Sequence, residues 1–266
     1  MLLFAVLAVL VVGGEAAVVV RSKSSLNDRP IIGVLTQEQS FYLHGKYPQE
    51  NYTSYIAASY VKDVEASGAR VVPILIGKDR SYYSDIMSKI NGVLFPGGAT
   101  YFNQSDGYAD AGQHIYELAM ELNDAGDYFP IFGTCLGFEL LIILAFNLEE
   151  DWRVTSYTND EHGVEFIASV EHTRYPFYGV QFHPEKSSFE WKLSKLYPHS
   201  VNAVRANRYF MDFFVGETRK STHSFASAAE ENQYLIYNHV PHFTGVLGSA
   251  YHQCYLFEPR GTESCS

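Results

Sequence analysis

The sequence is poor in cysteine, in basic residues and in long apolar runs. Three cysteines occur in 266 residues, too few for a disulfide framework, and the odd count leaves at least one unpaired within the chain. Lys and Arg number 19 against 30 Asp and Glu, a net charge of −11. With no basic excess to neutralise phosphates, nucleic acid is not an expected partner. Charged residues make up only 18% of the chain and apolar ones 47%. Such a chain can bury enough apolar surface to offset its ordering entropy, which excludes disorder as its main state. Crossing a bilayer takes roughly 20 apolar residues. The run at 2–12 falls short of that, and no second long run follows it, so no membrane anchor is expected.

That first run reads instead as a leader. Gly14 and Ala16 place small residues at the −3 and −1 positions of a cleavage after Ala16, so residues 1–16 are expected to be a secretory signal peptide. Two sequons, Asn51-Tyr52-Thr53 and Asn103-Gln104-Ser105, agree with passage through the endoplasmic reticulum. One domain is expected over 27–258, followed by a tail over 259–266.

Short apolar runs at 30–35, 70–76, 92–95 and 128–133 read as buried strands. Between and after them, 51–67, 81–90, 110–125 and 138–146 read as helices. Strands apolar on both faces that alternate with helices predict an α/β fold. The expected architecture is a doubly wound, open, mostly parallel sheet with helices on both faces, a flavodoxin-like three-layer arrangement. Further on, 164–170 and 177–182 read as strands, 201–217 as a helix, 218–231 as a loop, and 234–240 and 254–257 as closing strands.

Sites in such sheets lie at the carboxyl ends of the strands, and three motifs fall there. Gly133-Thr134-Cys135-Leu136-Gly137 sets a nucleophile between glycines at a strand-to-helix turn, the pattern of a nucleophile elbow. The helix start behind it favours negative charge on the sulfur and offers free backbone N–H groups. The bland alternative is a buried structural cysteine. Pro96-Gly97-Gly98 ends a neighbouring strand and can turn a backbone N–H toward an oxyanion, although alone it is only a turn. In His183-Pro184-Glu185 the i, i+2 spacing puts imidazole and carboxylate on one face of extended chain, as a base and its orienter require. No phosphate loop and no metal-ligand spacing occurs. His162, His172, His199, His239, His242 and His252 are expected in loops, and no cofactor is called for.

With these residues in view, the chain resembles the class I glutamine amidotransferase superfamily, through 133–139 (GTCLGFE) and 181–186 (QFHPEK). The finer resemblance is to the γ-glutamyl hydrolase family, carried by 30–37 (PIIGVLTQ), 55–73 (YIAASYVKDVEASGARVVP), 91–99 (NGVLFPGGA), 189–192 (FEWK) and 213–220 (FFVGETRK). It implies cysteine-dependent hydrolysis of γ-glutamyl bonds in folate and antifolate poly-γ-glutamates, in the lysosome or outside the cell. It implies Cys135 as nucleophile, His183 as base and acid, Glu185 as orienter, and the N–H groups of Gly98 and Leu136 as oxyanion hole. Glu139 and Gly97 would border the substrate. The resemblance also allows a homodimer. Lys186 and Arg174 are cations near the motif in sequence that an anionic substrate could meet. Cys254 and Cys265 could pair.

One departure stands out. Only 48 residues separate Cys135 from His183, and family members have several dozen more. The absent part would hold sheet-covering strands, a pocket wall and a further histidine, which His162 does not replace. Two other functions therefore stay open: a shortened form that binds a ligand or its parent subunit without turnover, and a glutaminase module that hands ammonia to a synthase.

Overall fold

A computed structural model describes residues 26–39, 45, 51–145 and 147–258. The expected signal peptide, the tail and Cys265 lie outside the described residues. The first half alternates strand and helix. Strands β1 (Ile31–Leu35), β4 (Arg70–Ile74), β5 (Val93–Phe95) and β6 (Ile131–Thr134) are separated by helices α1 (Ala58–Ala66), α2 (Arg80–Met87) and α3 (Tyr108–Asp124). Helix α4 (Leu136–Ile143) follows β6 directly. After it come α5 (Leu148–Asp151) and strands β7 (Trp152–Asn159), β8 (Glu165–His172) and β9 (Phe177–Val180).

These strands form one sheet in the order β4-β1-β5-β6-β9-β8-β7. The first five pair in parallel, and β8 and β7 close the edge antiparallel. Alternation along β1 shows why both faces are covered. Ile31 and Leu35 pack with Tyr83, Ile86 and Ile115 of α2 and α3. Ile32 and Val34 point the other way, into a cluster with Val61 and Val64 of α1 and Phe214 of α7 (Val201–Thr218). Side chains on successive strand residues face opposite sides, so a run of five apolar residues needs helices on both. The expected three-layer α/β fold is the one observed.

Four local expectations are corrected. Residues 51–67 are not helical throughout: β3 (Ser54–Ala57) precedes α1. It pairs antiparallel with β2 (Gln37–Glu38) and β10 (Cys254–Phe257) in a small second sheet. Its helical spacing is overridden by a partner about two hundred residues away. Within 218–231 a helix begins, α8 (Ala228–Tyr234), where the Ser227 hydroxyl accepts from Glu230 N–H. Residues 234–240 form no strand; they hold the end of α8 and a short 3-10 turn, Ile236–Asn238. His172 lies at the end of β8, not in a loop, and its burial lowers the imidazole's affinity for a proton.

Candidate active site

Strands β5, β6 and β9 are neighbours, and their carboxyl ends bring the three motifs together. Cys135 follows β6, and its N–H donates to Val180 O of β9 at 2.8 Å. Its backbone is strained, at φ 52° and ψ −108°, a region L residues rarely occupy and one that marks functional sites. The flanking glycines permit the close approach behind it. A Cβ on Gly133 would stand 2.5 Å from Gly137 O, and one on Gly137 2.1 Å from Phe95 O. Strand β6, helix α4 and the end of β5 are thus packed backbone to backbone, and the sulfur is pushed outward, half-buried. Among the described residues no side chain caps α4, so the first-turn N–H groups, beginning with Leu136, have no capping acceptor there.

His183 lies beyond the end of β9. Its Nδ1 sits 2.8 Å from Glu185 Oε1 and 3.1 Å from the Tyr60 hydroxyl. That leaves Nε2 for the Cys135 sulfur, which is within hydrogen-bonding reach of the ring. Burial works against the imidazolium, but the sulfur and the Glu185 carboxylate outweigh it and raise the His183 pKa to about 9. Glu185 is only 1% exposed, and its Oε2 has no hydrogen-bond partner among the described residues. A buried carboxylate with one oxygen committed to a ring nitrogen fixes which nitrogen faces the sulfur.

Gly97 and Gly98 cross the same opening. Gly97 N–H donates to the Tyr60 hydroxyl at 2.8 Å, and Gly97 O accepts from Tyr251 at 3.3 Å. Both its backbone groups are therefore used within the protein. Gly98 packs against the Gln37 side chain, whose amide donates to Pro96 O. Glu139, one turn along α4, is exposed and accepts from Gln181 Nε2 at 3.0 Å; the same nitrogen lies 4.0 Å from the Cys135 sulfur. Arg174 is not near the site. It precedes β9, at the opposite edge of the sheet, and pairs with Asp124. Lys186 does adjoin the triad, at the start of α6 (Lys186–Phe189). Asn51 and Asn103 are both exposed. Among the described residues, no three His, Cys, Asp or Glu side chains gather as a metal site would need.

Sequence reasoning missed Tyr60, Gln181 and Tyr251. Gln181 stands inside a motif already singled out, two residues before His183 on the same strand end. Tyr60 and Tyr251 carry no local signal. One comes from the first helix and the other from a loop near the end of the domain, and only folding brings them to Gly97.

An open α/β sheet with a strained cysteine elbow, faced by a histidine and a buried glutamate at the next strand end, is class I glutamine amidotransferase-like in architecture. Residues 30–146 match the Peptidase C26 family and residues 144–201 the class-I glutamine amidotransferase family. The human gamma-glutamyl hydrolase is 34% identical over 321 aligned positions, covering 96% of this chain and 98% of that one. The bovine gamma-glutamyl hydrolase is 35% identical over 292, covering 86% and 90%. Gamma-glutamyl hydrolase B of Dictyostelium discoideum is 32% identical over 285, covering 83% and 81%. The chain belongs to the gamma-glutamyl hydrolase family and is a hydrolase.

The human alignment exceeds this chain's entire length by 55 positions, so that relative carries segments with no counterpart here. The two family matches meet at 144–146, just after α4 and inside the short interval between Cys135 and His183.

Proposed function

We propose that this chain cleaves γ-glutamyl bonds in folate and antifolate poly-γ-glutamates, with Cys135 as nucleophile. The observation that carries the reading is the Cys135–His183–Glu185 arrangement on the strained elbow. The sulfur, its proton held by His183, attacks the γ-carbonyl carbon. The N–H groups of Gly98 and Leu136 receive the developing oxyanion. The C–N bond breaks as His183 gives its proton to the departing α-amine, leaving a γ-glutamyl thioester. Water then attacks that thioester, His183 takes up its proton, and the γ-carboxylate leaves as the sulfur is restored. Glu185 holds the ring through both steps. Glu139, joined to Gln181 beside the sulfur, lies where it can meet the α-amino or amide end of the glutamyl group, with Gly97 on the facing wall.

Comparing the unaltered chain with Cys135→Ala on a fluorescent poly-γ-glutamyl substrate tests this. Loss of a covalent nucleophile is expected to lower kcat by about 10³-fold or more. Equal rates would sink the assignment. The rival reading, a shortened chain that binds without turnover, is favoured by the missing length alone. It expects substrate binding by the unaltered chain with no more turnover than Cys135→Ala.

The proposal includes passage through the secretory route to the lysosome or the outside of the cell. The leader pattern at 1–16 and two exposed sequons support it.

A further inference from the structure

Lys186 is the residue directly after the triad glutamate, yet the chemistry above gives it no task. Its ammonium lies between two aromatic rings, with Nζ 5.4 Å from the centroid of Tyr197 and 5.5 Å from that of Tyr251. Tyr251 is buried and bonds to Gly97 O. Gly97 in turn abuts the reacting groups: a Cβ on it would stand 2.7 Å from His183 Cε1 and 3.0 Å from Cys135 Cβ. The ammonium is thereby tied to the wall beside His183. Gln181 and Glu139 occupy the α4 side of the sulfur.

Nearby carboxylates act on it through their charge, but among the described residues none is in ion-pair contact with it. Glu185 is committed to His183. Glu190 is 1% exposed and is committed to His252, accepting from its N–H at 2.9 Å and lying 3.1 Å from its Nδ1. Among the described residues, Lys186 forms no ion pair. A half-buried cation kept unpaired is costly unless something anionic binds it. Ring faces hold an ammonium in place without saturating its three donors. Burial, the largest influence, eases loss of the Lys186 proton; the charges of Glu185, Cys135 and Glu190 oppose that. A bound carboxylate would act in the same direction as those charges.

We propose that Lys186 binds the α-carboxylate of the glutamate on the leaving side of the scissile bond, and so selects a γ-linked glutamate as leaving group. This rests on the γ-glutamyl hydrolase reading. His183 delivers the proton to the leaving nitrogen, and the α-carboxylate is borne by the carbon attached to that nitrogen. The cation on the His183 side is therefore the one placed to meet it. Lys186 is a specificity residue, and no bond is made or broken at it.

The test compares two γ-glutamyl substrates that differ only in the departing residue, glutamate or its α-carboxamide analogue. The unaltered chain is expected to show a KM about 10-fold lower for the free carboxylate, since a charge-assisted hydrogen bond is lost in the amide. Lys186→Met keeps the aliphatic stem between the rings and removes the charge. It is expected to raise KM about 10-fold for the carboxylate substrate alone, with kcat within about two-fold, and to abolish the preference. Lys186→Arg should restore part of it. Binding of both compounds to Cys135→Ala, with and without Lys186→Met, reads the same preference in Kd with no turnover. If Lys186→Met prefers the carboxylate as strongly as the unaltered chain in KM and in Kd, the proposal is overturned while the γ-glutamyl reading stands. If the unaltered chain cleaves neither compound, the functional reading fails, and the Kd comparison still decides the role of Lys186.

Discussion

Asp63 on α1 and Glu185 of the triad are close enough for their charges to repel, and each has one buried oxygen without a partner among the described residues. Burial first, then Glu185 and Asp212, push the Asp63 carboxyl up to about 8, with Arg208 pulling the other way. The consequence for stability has a definite sign. Below the ordinary pKa of 3.8 the carboxyl is protonated in both folded and unfolded chains. Between there and pH 8 the unfolded chain binds fewer protons than the folded one, so stability falls as pH rises. Asp63→Asn cannot ionise. It is expected to be more stable than the unaltered chain by about 1–2 kcal/mol at pH 8, with the difference closing toward pH 4 in urea titrations. A difference that ignores pH would contradict this. At this scale the sequence was generous with Cys135, His183 and Glu185, because each stands in a motif with fixed spacing. It was silent on Asp63, Tyr60 and Tyr251, whose neighbours at the site all come from distant segments.

Among the elements, the β5–β6–α4 junction fixes the position of the sulfur. Gly137→Ala would drive a methyl into Phe95 O at 2.1 Å. Neither group can yield, because one belongs to a strand and the other to the first turn of a helix. The expected result is a loss of about 3 kcal/mol or more and of activity with it. Gly216→Ala is the control. It lies inside α7 with no described residue within 4 Å of the added carbon, and should stabilise by about 0.5–1 kcal/mol. Thermal denaturation of the two variants separates close backbone approach from plain helix propensity; equal shifts would refute it. The parallel core was legible because buried parallel strands are short, wholly apolar runs that alternate with helices. Strand β3 was not, because Tyr52, Tyr55 and Ile56 also fit a helical spacing, and only the pairing of Ser54–Ala57 with Cys254–Phe257 decides between the two. The reading of 234–240 failed conversely: Leu235 and Ile236 are buried, Tyr237 and Val240 are exposed, and the segment turns in a short 3-10 helix without joining a sheet.

Over the whole molecule, the described residues hold the elbow, the histidine and its carboxylate in one place despite the short interval between Cys135 and His183. The surface after α4 is less complete. Ile143, Leu148, Tyr157 and Ile167 are exposed, and of β7 only Trp152 is buried. A cavity opens between the β8–β9 face and Tyr209, Phe210 and Phe213 of α7. Ile143 and Leu148 flank, in sequence, the point where the two family matches meet. Secretion makes a further prediction at this scale. Expressed in a eukaryotic secretory host, the chain should lose mass on endoglycosidase treatment, and Asn51→Gln with Asn103→Gln should abolish that loss; cytosolic, unglycosylated protein would overturn it. What the sequence determined by itself was whatever depends on local pattern: the absence of a basic excess, the order of core strands and helices, and the spacing of the Cys135 and His183-Pro184-Glu185 motifs. Tertiary structure alone decided which strand ends adjoin, and so which side chains meet. It parted Lys186 from Arg174, eleven residues before the glutamate of the triad, by placing one at each end of β9. It also brought Tyr60 and Tyr251 to Gly97. Neighbours in a sheet are chosen by long-range pairing and burial, which leave no mark on the residues beside them in the chain.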